Sequence, residues 1–142
     1  MPNGQREQYE TFEHEADIGI RGYGSSIEAA FENAAQALYS VIVNVQSVRQ
    51  KEQRTVSVSA ADKELLLVEW LNALLSLSDI ERIVFSRFEV RISGTTLDGT
   101  AWGERLDKNR HEPGVEVKGA TYYMLSVKRE EGRYVAQCVV DV

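Results

Sequence analysis

The chain has 142 residues and carries 22 Asp and Glu against 16 Lys and Arg, for a net charge of −6. That length suits one domain with its own core, and 43% hydrophobic and 27% charged residues are ordinary for a soluble globular protein. The acidic surplus argues against direct, stable nucleic-acid binding, which needs a basic footprint, and no apolar run approaches the roughly 20 residues that span a bilayer.

Residues 1–10 are polar and lack a signal-peptide core, and residues 1–8 are expected to form a flexible arm. Residues 9–13 and 18–23 read as strands. A helix is predicted from near Ser25 to near Asn44, with Ser25 and Glu28 as a capping box. Its apolar stripe is Ile27, Phe31, Ala34, Leu38 and Ile42. Residues 55–60 alternate as a strand with Val56, Val58 and Ala60 on one face. Asp62 then announces a second helix as its N-cap, with Glu64 favourably placed in the first turn. Residues 65–77 are apolar on nearly every side, so this helix must be covered on most faces, by a sheet or by a partner.

Beyond it, Ile83 and Phe85 lie in one phase and Phe88, Val90 and Ile92 in the other, which predicts a bulge near Ser86. Residues 96–106 form another alternating run, containing Gly99 and Gly103. Residues 122–129 and 134–140 flank Glu130-Glu131-Gly132-Arg133, a hairpin signal. The order predicts a single α+β domain over residues 1–142, with two helices on a mostly antiparallel, barrel-like sheet.

Cys138 is the single cysteine, so no internal disulfide can form. In its apolar run it reads as a small buried hydrophobe, and the absence of a disulfide framework suits a cytoplasmic protein. Three places carry candidate chemistry. In Glu13-His14-Glu15-Ala16-Asp17, acids crowd into a bend between two strands, where they repel unless a cation or proton intervenes. Such a bend is either a metal or acid–base site or an exposed acidic turn. At Val139-Val140-Asp141-Val142 the strand stays apolar to its end, with the Asp141 side chain and the Val142 α-carboxylate adjacent. These are either a tucked-in pair needing a hard cation or a strand end fraying in water. His111, in a Pro/Gly loop, is a ligand or acid–base candidate, though such a histidine more often ties a loop down. Glu116 and Lys118 share one side of an extended segment and are candidates to pair.

No Gly-rich phosphate loop, zinc-spaced cysteine pair or serine elbow is present. With only His14 and His111 available, oxygen ligands and hence Ca²⁺, Mg²⁺ or Mn²⁺ are favoured over a histidine-rich transition-metal site.

Taken in order, several segments resemble the archease family almost from end to end. They are Tyr9-Glu10; Glu13-His14, Ala16-Asp17-Ile18-Gly19; Ile27-Glu28-Ala29-Ala30-Phe31-Glu32-Asn33-Ala34-Ala35; Trp70-Leu71-Asn72; Trp102-Gly103-Glu104; His111; Glu116-Val117-Lys118, Ala120-Thr121-Tyr122; and Asp141-Val142. The resemblance implies a non-enzymatic accessory protein that binds a divalent ion, most often calcium, through Asp17, the Asp141 side chain and the Val142 carboxylate. It also implicates an acidic residue between the two helices, for which Glu52 is the nearest candidate. The implied partner is an RtcB-type RNA ligase of tRNA splicing and RNA repair, whose guanylylation and multiple turnover the accessory protein promotes.

This chain departs from the family pattern at Glu15, where threonine is usual, at Ala73, where glutamate is usual, and at Gly119, where alanine is usual. Two other readings compete. One is a chaperone-like modulator of RNA-processing proteins or methyltransferases. The other is a metal-dependent phosphohydrolase using Asp17, His14 and His111, ranked last because no nucleophile accompanies them.

Overall fold

The computed structural model of the chain describes residues 7–142. Residues 1–6 of the expected arm lie outside that range. The last two arm residues are tied down: Tyr23 N donates to Gln8 O at 2.8 Å and Arg133 Nη1 to Glu7 O at 3.2 Å.

The order is β1 (Tyr9–His14), β2 (Asp17–Gly24), α1 (Ile27–Ile42), a 3-10 turn (Val45–Ser47), β3 (Glu52–Ser59), α2 (Lys63–Glu81), β4 (Ile83–Ser93) and β5 (Thr96–Arg105). Then follow α3 (Lys108–His111), β6 (Gly119–Ala120), β7 (Ser126–Glu130) and β8 (Arg133–Asp141). All strand pairs are antiparallel. They form two open sheets rather than one closed barrel: β1-β2-β8 with β6 and β7 both on the far side of β8, and β3-β5-β4.

The helices follow from caps and stripes. Ser26, not Ser25, caps α1: its Oγ accepts from Ala29 N at 3.1 Å. The expected Ser25–Glu28 box is therefore out by one residue. Ala30, Phe31, Ala34 and Leu38 are buried on one side of α1. Helix and strand approach closely because Gly22 has no side chain: a Cβ there would lie 2.2 Å from Ala34 N. Asp62 caps α2, accepting from Leu65 N at 2.8 Å.

The apolar α2 is covered from within the same chain. It packs on β3, β5 and β4 on one side and on β6, β7 and β8 on the other. Trp70 Nε1 donates to Phe31 O at 3.1 Å, and Tyr39 Oη donates to Leu74 O at 3.1 Å. Both satisfy polar atoms that would otherwise be buried unpaired. The rings of Tyr39, Phe85, Phe88 and Trp70 meet at centroid distances of 5.6–6.3 Å.

The bulge falls where the phase change puts it, between Phe85 and Arg87. It is used as a tie: Gln36 Nε2 donates to Ser86 O at 2.9 Å and Ser86 Oγ to Val48 O at 3.1 Å. Glu131 (φ 53) and Gly132 (φ 82) turn the β7–β8 hairpin with both residues left-handed, the geometry that matches strand twist. The predicted strand over 122–129 starts later, at Ser126, because the preceding residues bulge away from β8.

Candidate functional site

The first two candidate places are brought together by strand pairing. β2 runs antiparallel beside β8 with Ile18 opposite Val140, so the next pair outward sets Asp17 beside Asp141. Side chains alternate along a strand. Ile18, Ile20, Cys138 and Val140 therefore turn to the core, and Asp17 and Asp141 share the outer face. Val142 N donates to Asp17 Oδ1 at 3.4 Å. Lys118 N donates to Asp141 O at 2.7 Å, holding the end of β8 from the other side.

The acidic bend completes this end of the molecule. His14 pairs with Asp17 across a two-residue turn in which Glu15 adopts φ 55. Glu13 and Glu15 are exposed. His14 stacks on Tyr123 with ring centroids 4.6 Å apart. Among the described residues, no Lys or Arg forms an ion pair with Glu13, Asp17 or Asp141.

The donor set has the chemistry of a hard-cation site, being oxygen only and anionic. It is a sparse set. Among the described residues, no group of three or more His, Cys, Asp or Glu side chains is arranged to hold a metal ion. Asp17 and Asp141 supply two carboxylates, and the third of the expected trio is the α-carboxylate of Val142. Calcium takes about 6–8 oxygens, so three carboxylates would leave the rest of the shell to water or to a partner.

His111 belongs to a different cluster. Its side chain is fully buried, and Nδ1 accepts from Asp107 N at 2.8 Å, which puts the ring proton on Nε2. That nitrogen lies 2.9 Å from Glu104 Oε2 and donates to it. Glu104, 5% exposed, also accepts from Arg49 N at 2.8 Å and pairs with Arg110 at 2.5 Å. Burial alone would raise the Glu104 pKa. The hydrogen bonds from Arg110, Arg49 N and His111 outweigh it and hold the carboxyl at about 2. His111 therefore ties its loop to β5, and its donors and acceptors are spent.

Glu52 does not join the acidic end. It lies on β3 in the other sheet, and its carboxylate accepts from Arg54 at 3.0 Å, which also pairs with Glu81. Glu116 and Lys118 form no ion pair among the described residues; both line a groove of about 520 Å³ against Asn72, Leu75 and Asp79 of α2. A depression of about 590 Å³ on the β3-β5-β4 sheet holds Glu32, Glu89 and Asp98 but none of the expected ligands. Cys138 is buried, and desolvation pushes its thiol up to about 12, so it is an unreactive core residue. No helix among the described residues is long and apolar enough to cross a membrane.

With Asp17, Asp141 and Val142 gathered at one end, the comparison with known proteins is direct. The sequence model of the archease protein family matches residues 9–142. The chain belongs to the archease family. The archease of Pyrococcus abyssi is 49% identical over 140 residues, covering 95% of this chain and 99% of the relative. That of Sulfurisphaera tokodaii is 42% identical over 138 residues, covering 96% and 99%. The solution structure of a Methanobacterium thermoautotrophicum protein superposes with a TM-score of 0.84 at 36% identity, covering 95% of this chain and 99% of that one. A crystal structure of a Thermotoga maritima archease, described as a possible chaperone, gives 0.59 at 20% identity over 99% of both chains, a likeness of fold.

The archease assignment makes the three departures readable. Glu15 is an exposed residue of the acidic turn. Ala73 packs partly buried against the core. Gly119 sits where a Cβ would meet only Asn72 Oδ1, at 3.5 Å, so the usual alanine would also fit.

Proposed function

We propose that this archease-family protein is a non-catalytic, divalent-metal-binding activator of an RtcB-type RNA ligase, promoting ligase guanylylation and multiple turnover. The observation that carries the reading is the meeting of Asp17, Asp141 and Val142 at one end where, among the described residues, no Lys or Arg forms an ion pair with either aspartate. Carboxylates held together in that way favour a bound cation or a cationic surface. When bound there, a divalent ion would supply charge neutralisation and a Lewis-acidic contact for a phosphate oxygen.

The chain's own part is positional. β2 and β8 fix the two aspartates, Lys118 N anchors the strand end, and the acidic surround suits the basic, phosphate-binding mouth of a ligase.

The test is multiple-turnover RNA ligation by substoichiometric cognate ligase with GTP and Mn²⁺. Turnover beyond one substrate per ligase is expected only when the wild-type protein is present, and Asp17→Ala is expected to fold normally without stimulating. Equal turnover with Asp17→Ala would overturn the assignment of the site.

The second reading, a chaperone-like modulator, has the description of the Thermotoga maritima neighbour as a possible chaperone and the exposed Ile80 of α2 and Val115 in its favour. It predicts suppression of client aggregation with no effect on ligase turnover.

A further inference from the structure

Among the described residues, the large hydrophobic side chains that remain exposed are Ile80, Val115, Tyr122, Tyr123 and Met124. Three of them are consecutive: Tyr122 is 67% exposed, Tyr123 59% and Met124 43%. A lone surface hydrophobe is ordinary, whereas a contiguous apolar group rimmed by polar residues marks an interaction site.

Strand register forces these residues outward. Ala120 pairs with Val140 and Ser126 with Gln137, so residues 121–125 stand opposite only Cys138 and Val139. The excess chain must leave the sheet, and Met124, at φ 53, turns it back.

The loop is nevertheless pinned. Thr121 N and Oγ1 both donate to Val139 O, at 3.0 and 2.7 Å, and Val139 N donates to Tyr123 O at 3.0 Å. Leu125 N donates to Tyr122 O at 3.2 Å, and Gln137 Nε2 to Met124 O at 3.0 Å. Tyr123 leans on His14, with centroids 4.6 Å apart. Side chains carried on an anchored backbone have less entropy to lose on binding, and Tyr and Met are enriched at the centres of protein interfaces.

The surround identifies the partner's chemistry. Through His14 the knob adjoins the turn bearing Glu13, Glu15 and Asp17, and through Val139 it adjoins Asp141. An apolar centre with an acidic rim complements an apolar recess rimmed by Arg and Lys.

We propose that Tyr122, Tyr123 and Met124 form a docking knob that seats in such a recess on a partner protein, beside the point where the acidic end engages. The proposal rests on the activator reading, in which that partner is the ligase.

The test titrates wild type, Tyr122→Ala/Met124→Ala and Tyr122→Phe into the multiple-turnover ligation assay at fixed ligase, with thermal unfolding as a check of the fold. The truncated side chains are exposed, so the melting temperature should hold. The double variant should need at least about tenfold more protein for half-maximal stimulation, the scale of losing an interface anchor, and should reach the wild-type plateau at saturation. Tyr122→Phe, which keeps the ring, should behave as wild type. An unchanged half-maximal concentration for the double variant would overturn the knob while leaving the activator reading standing. So would a lowered plateau at unchanged half-maximal concentration. No stimulation by wild type with an active ligase would overturn both together.

Discussion

Two clusters of acid and histidine sit in this molecule, and they are opposites. At Glu104 the carboxylate is buried and met by Arg110, Arg49 N and His111. At Asp17 and Asp141 the carboxylates lie on an outer strand face near exposed Glu13 and Glu15, and Asp17 Oδ1 accepts a long hydrogen bond from Val142 N at 3.4 Å. A charge already neutralised by its own chain has nothing left to offer a ligand. Carboxylates gathered together with no ion-pair partner among the described residues favour a cation beside them. The sequence alone marks His111, the bend at residues 13–17 and the end at residues 141–142 as candidates alike. Their partners separate them.

The comparison breaks first at Glu104. Glu104→Ala leaves Arg110 without its partner beside a buried His111, and removing one member of a buried pair costs about 3–5 kcal/mol. Urea unfolding should show a loss of that size. The same carboxylate sets an acid limit. Its pKa falls from an ordinary 4.5 to about 2 on folding, so its contribution is full above pH 4.5 and is lost as pH falls towards about 2. The acid unfolding curve of the Glu104→Ala variant should be flatter across that window. A variant as stable as wild type would mean that the cluster holds nothing.

A smaller change sharpens the other side. Adding one alanine after Val142 moves the α-carboxylate away from Asp17 without touching any side chain. Divalent-ion affinity should fall by roughly tenfold, about 1.4 kcal/mol, while the urea midpoint of the metal-free protein stays put. Smallest of all is Gly119→Ala. The new methyl meets only Asn72 Oδ1 at 3.5 Å, so stability should move by no more than about 0.5 kcal/mol. A larger loss would show that the contact between β6 and α2 is tighter than the spacing indicates.

Much of the fold is legible in the sequence where a local signal has a single structural answer. The phase change around Ser86 requires a bulge, Asp62 before an apolar run requires a cap, and Glu131-Gly132 between two strands suits a left-handed turn. Legibility fails where two local answers compete. Ser25 and Ser26 are both cap residues by type, and the structure uses Ser26. Residues 122–125 have strand-like composition, but the register on either side sets residues 121–125 against only two residues of β8, so they cannot continue the ladder.

The candidate site divides in the same way. That Asp17 and Asp141 work together comes from the family resemblance, because nothing local in the chain pairs β2 with β8. The spent state of His111 was hidden because Glu104 lies on the same side of β5 as Thr100 and Trp102, the side facing away from buried Leu97, Gly99 and Ala101. It is buried because α3 and the segment at Arg49 close over it, a contact no spacing predicts.

The central claim is that the acidic end, and not the Glu104 cluster, is the ion-binding and working end. Isothermal titration of Ca²⁺ and Mn²⁺ into wild type, Asp17→Ala and His111→Ala tests it most directly. The account predicts one ion per chain for wild type, none for Asp17→Ala, and wild-type stoichiometry for folded His111→Ala. Undiminished binding by Asp17→Ala would contradict it.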